Sequence, residues 1–357
     1  MKILIDNQVY ENQKFGGISR YFNELQRENS DIERMPLFQY RPRAKQSIYD
    51  RLRSKLKITP VGTKKKSSKY EFYNAQLNRL DFDVFHPTYY NNYFLKSLKK
   101  PFVLTVHDMI HEKFPEYFGF SPDSINKRRL CDAADRIIAI SKTTKKDIIE
   151  IFGTSANKIE VIYHGTNFKS IQASKPNFNF EIREYLLFTG NRSVYKNFLT
   201  FLIAVAPLIR KNKKLILICT GPNFNAIEKK WINDLQLNHI VKHYYCSNDN
   251  ELAYLYQNAE CFVFPSLYEG FGLPLLEAFA TQCPVVTSSG GSLKEIAGDA
   301  AVYFDPKDVE SIRTSIIKVL SDKGLKKELI EAGEDRLNDF SWDKCRKETM
   351  DLYSRLI

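Results

Sequence analysis

Chemistry-capable residues concentrate in the segment 264–306, FPSLYEGFGLPLLEAFATQCPVVTSSGGSLKEIAGDAAVYFDP. Glu269 and Glu277 stand in an E-x7-E spacing around Gly270, Phe271, Gly272 and Leu273. A carboxylate can accept hydrogen bonds from two neighbouring hydroxyls, so two separately placed carboxylates suit a ligand with two diols, such as a ribose and a hexose. Pro274 fits the first turn of a helix, where its missing N–H costs nothing. The free backbone amides of that turn, the helix dipole and the closeness that Gly270 and Gly272 allow together suit a phosphate or a sugar. The plainer alternative is that Glu269 caps the helix and Glu277 is a surface charge.

Parallel strands are the elements that would hold such a loop. Short runs rich in β-branched and aromatic residues, KILID, DVFH, FVLTVHD, RIIAIS and IEVIYHG, recur before residue 165 with helical stretches between them. The pattern restarts after SIQASKPNFNFEIRE as YLLFTG, LILICTG, HIVKHYY, CFVFP, PVVTSS and AVYF. Near-continuous apolar strands followed by helices predict doubly wound α/β units buried on both faces. In such sheets ligands bind beyond the carboxyl ends of the strands, where the loops HDMIHE, FTGNRSVYKN and PSLYEGFG fall. The expected division is a first domain over 1–168, a second over 169–340, and a helix over 341–357 that crosses back to the first. At 357 residues, two domains are also the default on size alone.

Composition narrows the classes further. With 43% hydrophobic and 27% charged residues the chain is an ordinary globular one. The run MKILIDNQVY lacks the apolar centre of a signal peptide, and no run approaches the ~20 apolar residues of a membrane span, so a cytoplasmic protein is expected, peripheral on the inner membrane face at most. Its six cysteines are scattered without a C-x-x-C pair, which fits reduced thiols. His107 and His111, like His239 and His243, have a spacing that could share a helical face, but neither pair carries H-E-x-x-H. No metal is therefore expected. The net charge of +11 is concentrated between Arg41 and Lys69. This basic segment 41–69 reads either as a solvated loop or as a dock for anionic lipid or a phosphate-bearing acceptor. No nucleic-acid partner is expected, since no zinc-finger spacing, aromatic RNA-binding motif or recognition helix accompanies the charge.

The sequence resembles the retaining family 4 glycosyltransferases of the GT-B fold, glycosyl transferases group 1, over nearly its whole length. The resemblance rests first on Glu269-Gly270-Phe271-Gly272-Leu273-Pro274 with Glu277, which looks like that family's donor-binding E-x7-E motif. It implies Glu277 on the ribose hydroxyls, Glu269 near the transferred sugar, and the amides of Phe271, Gly272 and Leu273 facing sugar and diphosphate. The loop FTGNRSVYKN, with Asn191, Arg192 and Lys196, resembles the loop whose arginine and lysine reach the donor diphosphate. Fixed cations there stabilise the charge that grows on the leaving diphosphate. On spacing alone the alternative is a pair of solvated surface cations. Gly16 and Gly17 in FGGISRYFNEL resemble the family's N-terminal glycine loop, and Cys246 lies where relatives hold the nucleotide base through the backbone. His107 resembles the family's histidine beside the transferred sugar, as a hydrogen-bond partner or a proton shuttle at neutral pH. A core histidine is the alternative.

The resemblance implies a retaining, metal-independent hexosyltransferase without cofactors, in which a donor phosphate oxygen takes the acceptor's proton. The donor is a nucleoside-diphosphate sugar, GDP-mannose as first guess and UDP-sugars next, and the acceptor a glycan, foremost the lipid-linked chain of a surface polysaccharide such as lipopolysaccharide. Two rivals stand beside it. A nucleotide-sugar epimerase of the same two-Rossmann architecture would need acid/base groups around the sugar that the sequence does not offer, and a non-catalytic phosphate- or membrane-binding protein would not need Glu269, Glu277 and Lys196.

Overall fold

The computed structural model describes residues 1–12, 16–27, 29–38, 69–119 and 121–357. The basic segment therefore lies outside the described residues except for Lys69, whose ammonium pairs with Glu11 at 2.7 Å.

The first domain contains β1 (Ile3–Ile5), β2 (Ile32–Arg34), β3 (Val84–His86), β4 (Val103–Val106), β5 (Arg136–Ala139) and β6 (Ile159–Val161). They form parallel ladders in the orders β2-β1-β3 and β4-β5-β6, joined by a single parallel bridge from Phe85 to Phe102. Of these, β2 has no counterpart among the strands read from the sequence. It is an edge strand whose Glu33 and Arg34 are exposed, so it lacks the continuous apolar run that betrays the others.

The second domain holds β7 (Glu184–Phe188), β8 (Leu215–Cys219), β9 (Val241–His243), β10 (Cys261–Phe264), β11 (Val285–Ser288) and β12 (Val302–Phe304) in one parallel sheet. Its order, β12-β11-β10-β7-β8-β9, reverses between β7 and β10. Such a reversal is where the loops after neighbouring strands diverge to opposite faces and leave a crevice. The loop after β7 carries Lys196, and the loop after β10 carries Glu269.

The two domains meet at the carboxyl ends of their strands. Glu295 of the second domain accepts hydrogen bonds from the backbone N–H groups of Lys142 and Thr143, at 2.7 and 2.9 Å, at the start of the first-domain helix Lys142–Phe152. A carboxylate there satisfies orphan amides and meets the positive end of the helix dipole. Tyr163 also donates to Glu295, and Tyr268 donates to Asp147 from the opposite side of the interface.

The helix Trp342–Ser354 follows the second domain in sequence and packs on the first-domain helix Gly17–Gln26. Its Tyr353 hydroxyl contacts His86 Nδ1 at 2.5 Å, and His86 Nε2 contacts Thr105, which in turn meets the Tyr21 hydroxyl. His86, His107 and His164 stand at or just beyond the ends of β3, β4 and β6 around Tyr21, all buried. His107 follows β4 while His111 lies in the separate short helix Ile110–Lys113, and His239 precedes β9, which ends at His243. Neither pair shares a helical face as its spacing allowed. Among the described residues no three His, Cys, Asp or Glu side chains are grouped so as to hold a metal ion.

Burial pushes the imidazoles of His86 and His107 down to about 3 and that of His164 well below its ordinary value. The unfolded chain takes up protons near pH 6.5 while the folded chain stays neutral, so stability is full above that pH and falls as pH drops towards 3. Each such histidine contributes a slope of about 1.4 kcal/mol per pH unit in that window. Urea denaturation followed from pH 7 to pH 4.5 is expected to show this loss, and His164→Phe is expected to remove one proton's share of the slope. An unchanged slope in the variant contradicts burial of a neutral His164.

Candidate functional site

A cavity of ≈ 410 Å3 opens between the domains, lined by the glycine turn of Gly16 and Gly17, by Arg20, His107, Asp108, His164, Tyr195 and Lys196, and by Glu269 through Pro274 with Glu277. Lys196 ends a single 3-10 turn, Val194–Lys196, after β7, and its ammonium meets Glu269 Oε1 at 2.6 Å. Both groups are largely buried, with side chains 14% and 12% exposed. Burial alone would lower the lysine's affinity for its proton, but Glu269, with smaller contributions from Tyr195 and Asp108, outweighs it and the net displacement is upward. The site therefore presents a fixed cation.

The Glu269–Leu273 loop is held rigidly from behind. Ser292 donates its backbone N–H and its hydroxyl to the carbonyl of Glu269, at 3.0 and 3.1 Å, and its hydroxyl also reaches the carbonyl of Phe271 at 2.8 Å. Gly272 has φ +103 as the residue before the helix Leu273–Ala280, a left-handed backbone that a side chain would strain. At Gly270 a Cβ would lie 1.9 Å from the carbonyl oxygen of His107. The glycine thus lets the second domain touch the end of β4 in the first.

Glu277 sits on that same helix, 8% exposed. Its carboxylate accepts from Arg20 Nη1 at 2.9 Å and from the Tyr256 hydroxyl at 3.2 Å. Burial pushes its pKa up, Arg20 opposes that, and Asp249 adds to it. His107 lines the cavity with its imidazole held neutral by burial, so it offers a neutral hydrogen-bonding group at neutral pH.

Lys196, Glu269, Glu277, His107, Gly16 and Gly17 are brought together on this cavity, with Gly270, Phe271, Gly272 and Leu273 on its second-domain wall. Cys246 lies on a neighbouring cavity of ≈ 560 Å3, with Asn23, Glu24, Tyr245 and Asn248. Arg192 is not at the site. Its side chain is 1% exposed, and the guanidinium pairs with Glu228 at 3.1 Å and donates to the carbonyls of Thr220 and Pro222. The two loop cations point apart because Arg192 is spent on the start of the helix Ala226–Asp234, where Glu228 closes a capping box with Asn225. Asn191 is likewise off the cavity, its side-chain oxygen accepting from Ser193.

Arg20, Tyr256 and Ser292 were not singled out from the sequence. Tyr256 and Ser292 act across distant segments and leave no local signal. Arg20 does leave one, as a cation one turn into the helix that begins at the glycine pair.

Residues 170–336 match the glycosyl transferases group 1 family and residues 37–169 match Glycosyltransferase Family 4. The two matches adjoin and together span residues 37–336, so the chain belongs to the family they describe, and it has that family's GT-B fold, two Rossmann-like parallel-sheet domains facing a central cleft. It is 34% identical over 233 residues to an uncharacterised glycosyltransferase of Methanocaldococcus jannaschii, covering 61% of this chain and 59% of that one. It is 28% identical over 284 residues to O-antigen chain mannosyltransferase B of Escherichia coli, covering 74% and 73%. In fold it is similar to the HepE protein of Anabaena solved with UDP-glucose, with a TM-score of 0.75 over the whole of both chains at 16% identity.

Gly270→Ala is expected to hold the domains apart. Displacements of ~1 Å at an aligned site cost on the order of 100-fold in rate. Steady-state sugar transfer should fall by about that factor, while the far-ultraviolet circular dichroism spectrum stays unchanged. Activity near wild type would show that the contact with His107 yields without consequence.

Proposed function

We propose that this chain is a retaining, metal-independent hexosyltransferase that moves mannose from GDP-mannose to a glycan acceptor, foremost a lipid-linked surface polysaccharide. UDP-sugars are the next donor class, and the HepE structure with UDP-glucose gives that class its support. Mannose is favoured by the similarity to the O-antigen mannosyltransferase. The single observation that carries the donor reading is the convergence of Lys196, Glu269 and Glu277 on one interdomain cavity whose wall is the start of the helix Leu273–Ala280.

In this reading the diphosphate lies against Lys196 and the amides of Phe271, Gly272 and Leu273, with the glycine turn of Gly16 and Gly17 opposite. As the anomeric carbon–oxygen bond breaks, the departing diphosphate gains negative charge, and a preorganised ammonium stabilises that state more than the ground state. Glu269 hydrogen-bonds the hexose and Glu277 the ribose diol. The neutral imidazole of His107 hydrogen-bonds a sugar hydroxyl. The acceptor oxygen attacks from the face that the diphosphate leaves, and a departing phosphate oxygen takes its proton. Closure of the domains excludes water and limits hydrolysis of the donor.

The site of action is proposed to be the cytoplasmic face of the membrane, with the basic segment 41–69 on anionic lipid. Among the described residues no helix is long and apolar enough to cross a membrane.

Thermal unfolding with GDP, UDP, ADP and CDP, each with and without EDTA, tests the donor class directly. A ligand at 100 times its dissociation constant adds about 2.7 kcal/mol of stability. GDP is expected to raise the midpoint most and insensitively to EDTA; the absence of a shift with any of the four contradicts the donor-site reading. Lys196→Ala is expected to lower kcat by about 100- to 1,000-fold, the range for losing one group that stabilises transition-state charge. A loss no greater than that of a remote surface lysine removes the diphosphate role.

A further inference from the structure

Arg20 is a charged residue at the cleft that the donor reading leaves without a task. It belongs to the first-domain helix Gly17–Gln26, yet both of its ion-pair partners lie in the second domain. Nη1 donates to Glu277 Oε1 at 2.9 Å, and Nη2 donates to the two carboxylate oxygens of Asp249 at 3.1 and 2.9 Å. The guanidinium also lies 5.6 Å from the ring centre of Phe168. Its planar fork can hold two carboxylates in fixed relation, which a lysine ammonium on a flexible stem does less well.

Three observations give this contact a meaning beyond docking. Arg20 lines both the ≈ 410 Å3 cavity of Lys196 and Glu269 and the ≈ 560 Å3 cavity of Cys246 and Tyr245, so it stands where the two adjoin. A nucleoside diphosphate with its phosphates at Lys196 and its base near Cys246 would have its ribose beside Arg20 and Glu277. The carboxylate of Glu277 has two acceptor positions on each oxygen; Arg20 fills one on Oε1 and Tyr256 one on Oε2. Among the described residues no other partner fills the remaining position on each oxygen, and that is the pattern that two vicinal hydroxyls require. Finally, Glu277 is buried, and Arg20, with the Tyr256 hydroxyl, opposes the effect of burial on its charge.

We propose that Arg20 is a positioning residue for the donor's ribose: reaching across the cleft, it orients Glu277, so that the ribose diol is recognised only when the two domains are closed. The proposal rests on the assignment of Glu277 to the ribose. It makes nucleoside recognition a property of both domains, although the residues that touch the ribose belong to the second alone.

Calorimetric titration with GDP and UDP, each against its 2′,3′-dideoxy analogue, tests the proposal on the full chain. Hydrogen bonds to a charged group contribute about 1.5–3 kcal/mol, so wild type is expected to prefer the ribose form by about tenfold or more. Arg20→Ala should bring that preference to near unity while leaving affinity for the dideoxy form within about twofold, and Arg20→Lys should recover part of it. Asp249→Asn, which loosens the guanidinium without altering the Gly17–Gln26 helix, should lower the preference in the same direction. Full preference in Arg20→Ala overturns the proposal, and so does an equal loss of affinity for both forms, which would mark Arg20 as a phosphate contact or a structural brace. A wild type without preference refutes the ribose assignment of Glu277 itself, and this proposal with it.

Discussion

Everything at the cleft depends on how closely two backbones approach at one point, Gly270 of the second domain against the carbonyl of His107 in the first. Strand ends in parallel sheets carry unpaired backbone groups, and here two such ends face each other. The glycine allows contact without an intervening side chain. Around it the domains exchange polar groups in kind: Glu295 meets the amides of Lys142 and Thr143, Thr144 donates to the carbonyl of Gly270, and Arg20 spans to Glu277 and Asp249. Water can replace each of these partners when the domains part, so the closed arrangement is directional without being irreversible.

The charges of the site illustrate how burial and pairing are balanced. An unpaired ammonium as buried as Lys196 would tend to lose its proton, and an unpaired carboxylate as buried as Glu277 would tend to gain one. Lys196 is held charged by Glu269, and Arg20 opposes protonation of Glu277. Preorganisation of this kind is what a reaction that moves charge onto a diphosphate requires, since the cation need not reorganise as the bond breaks.

The sequence made the fold legible where elements are covered on both faces. The central strands β7, β8, β10 and β11 of the second sheet announce themselves as apolar runs, because each is packed on two sides. It failed at β2, an edge strand with Glu33 and Arg34 exposed. At the site, the E-x7-E loop was legible because glycine, proline and carboxylate each have a local reason to be there. Arg192 shows the limit: spacing places two cations on one loop, but only the distant carboxylate of Glu228 decides which of them turns inward. Arg20 shows the converse, since its partners lie 229 and 257 residues away and no window of sequence contains them.

The helix Trp342–Ser354 carries one more implication. Its Tyr353 and Trp342 complete the buried cluster of His86, His164 and Tyr21 in the first domain, although the whole second domain lies between them in the chain. During synthesis the first domain emerges long before this helix, with polar groups at the end of β3 still awaiting their partner. Its final core is sealed only after the second domain has left the ribosome, so the order of translation makes this seam of the first domain late to assemble.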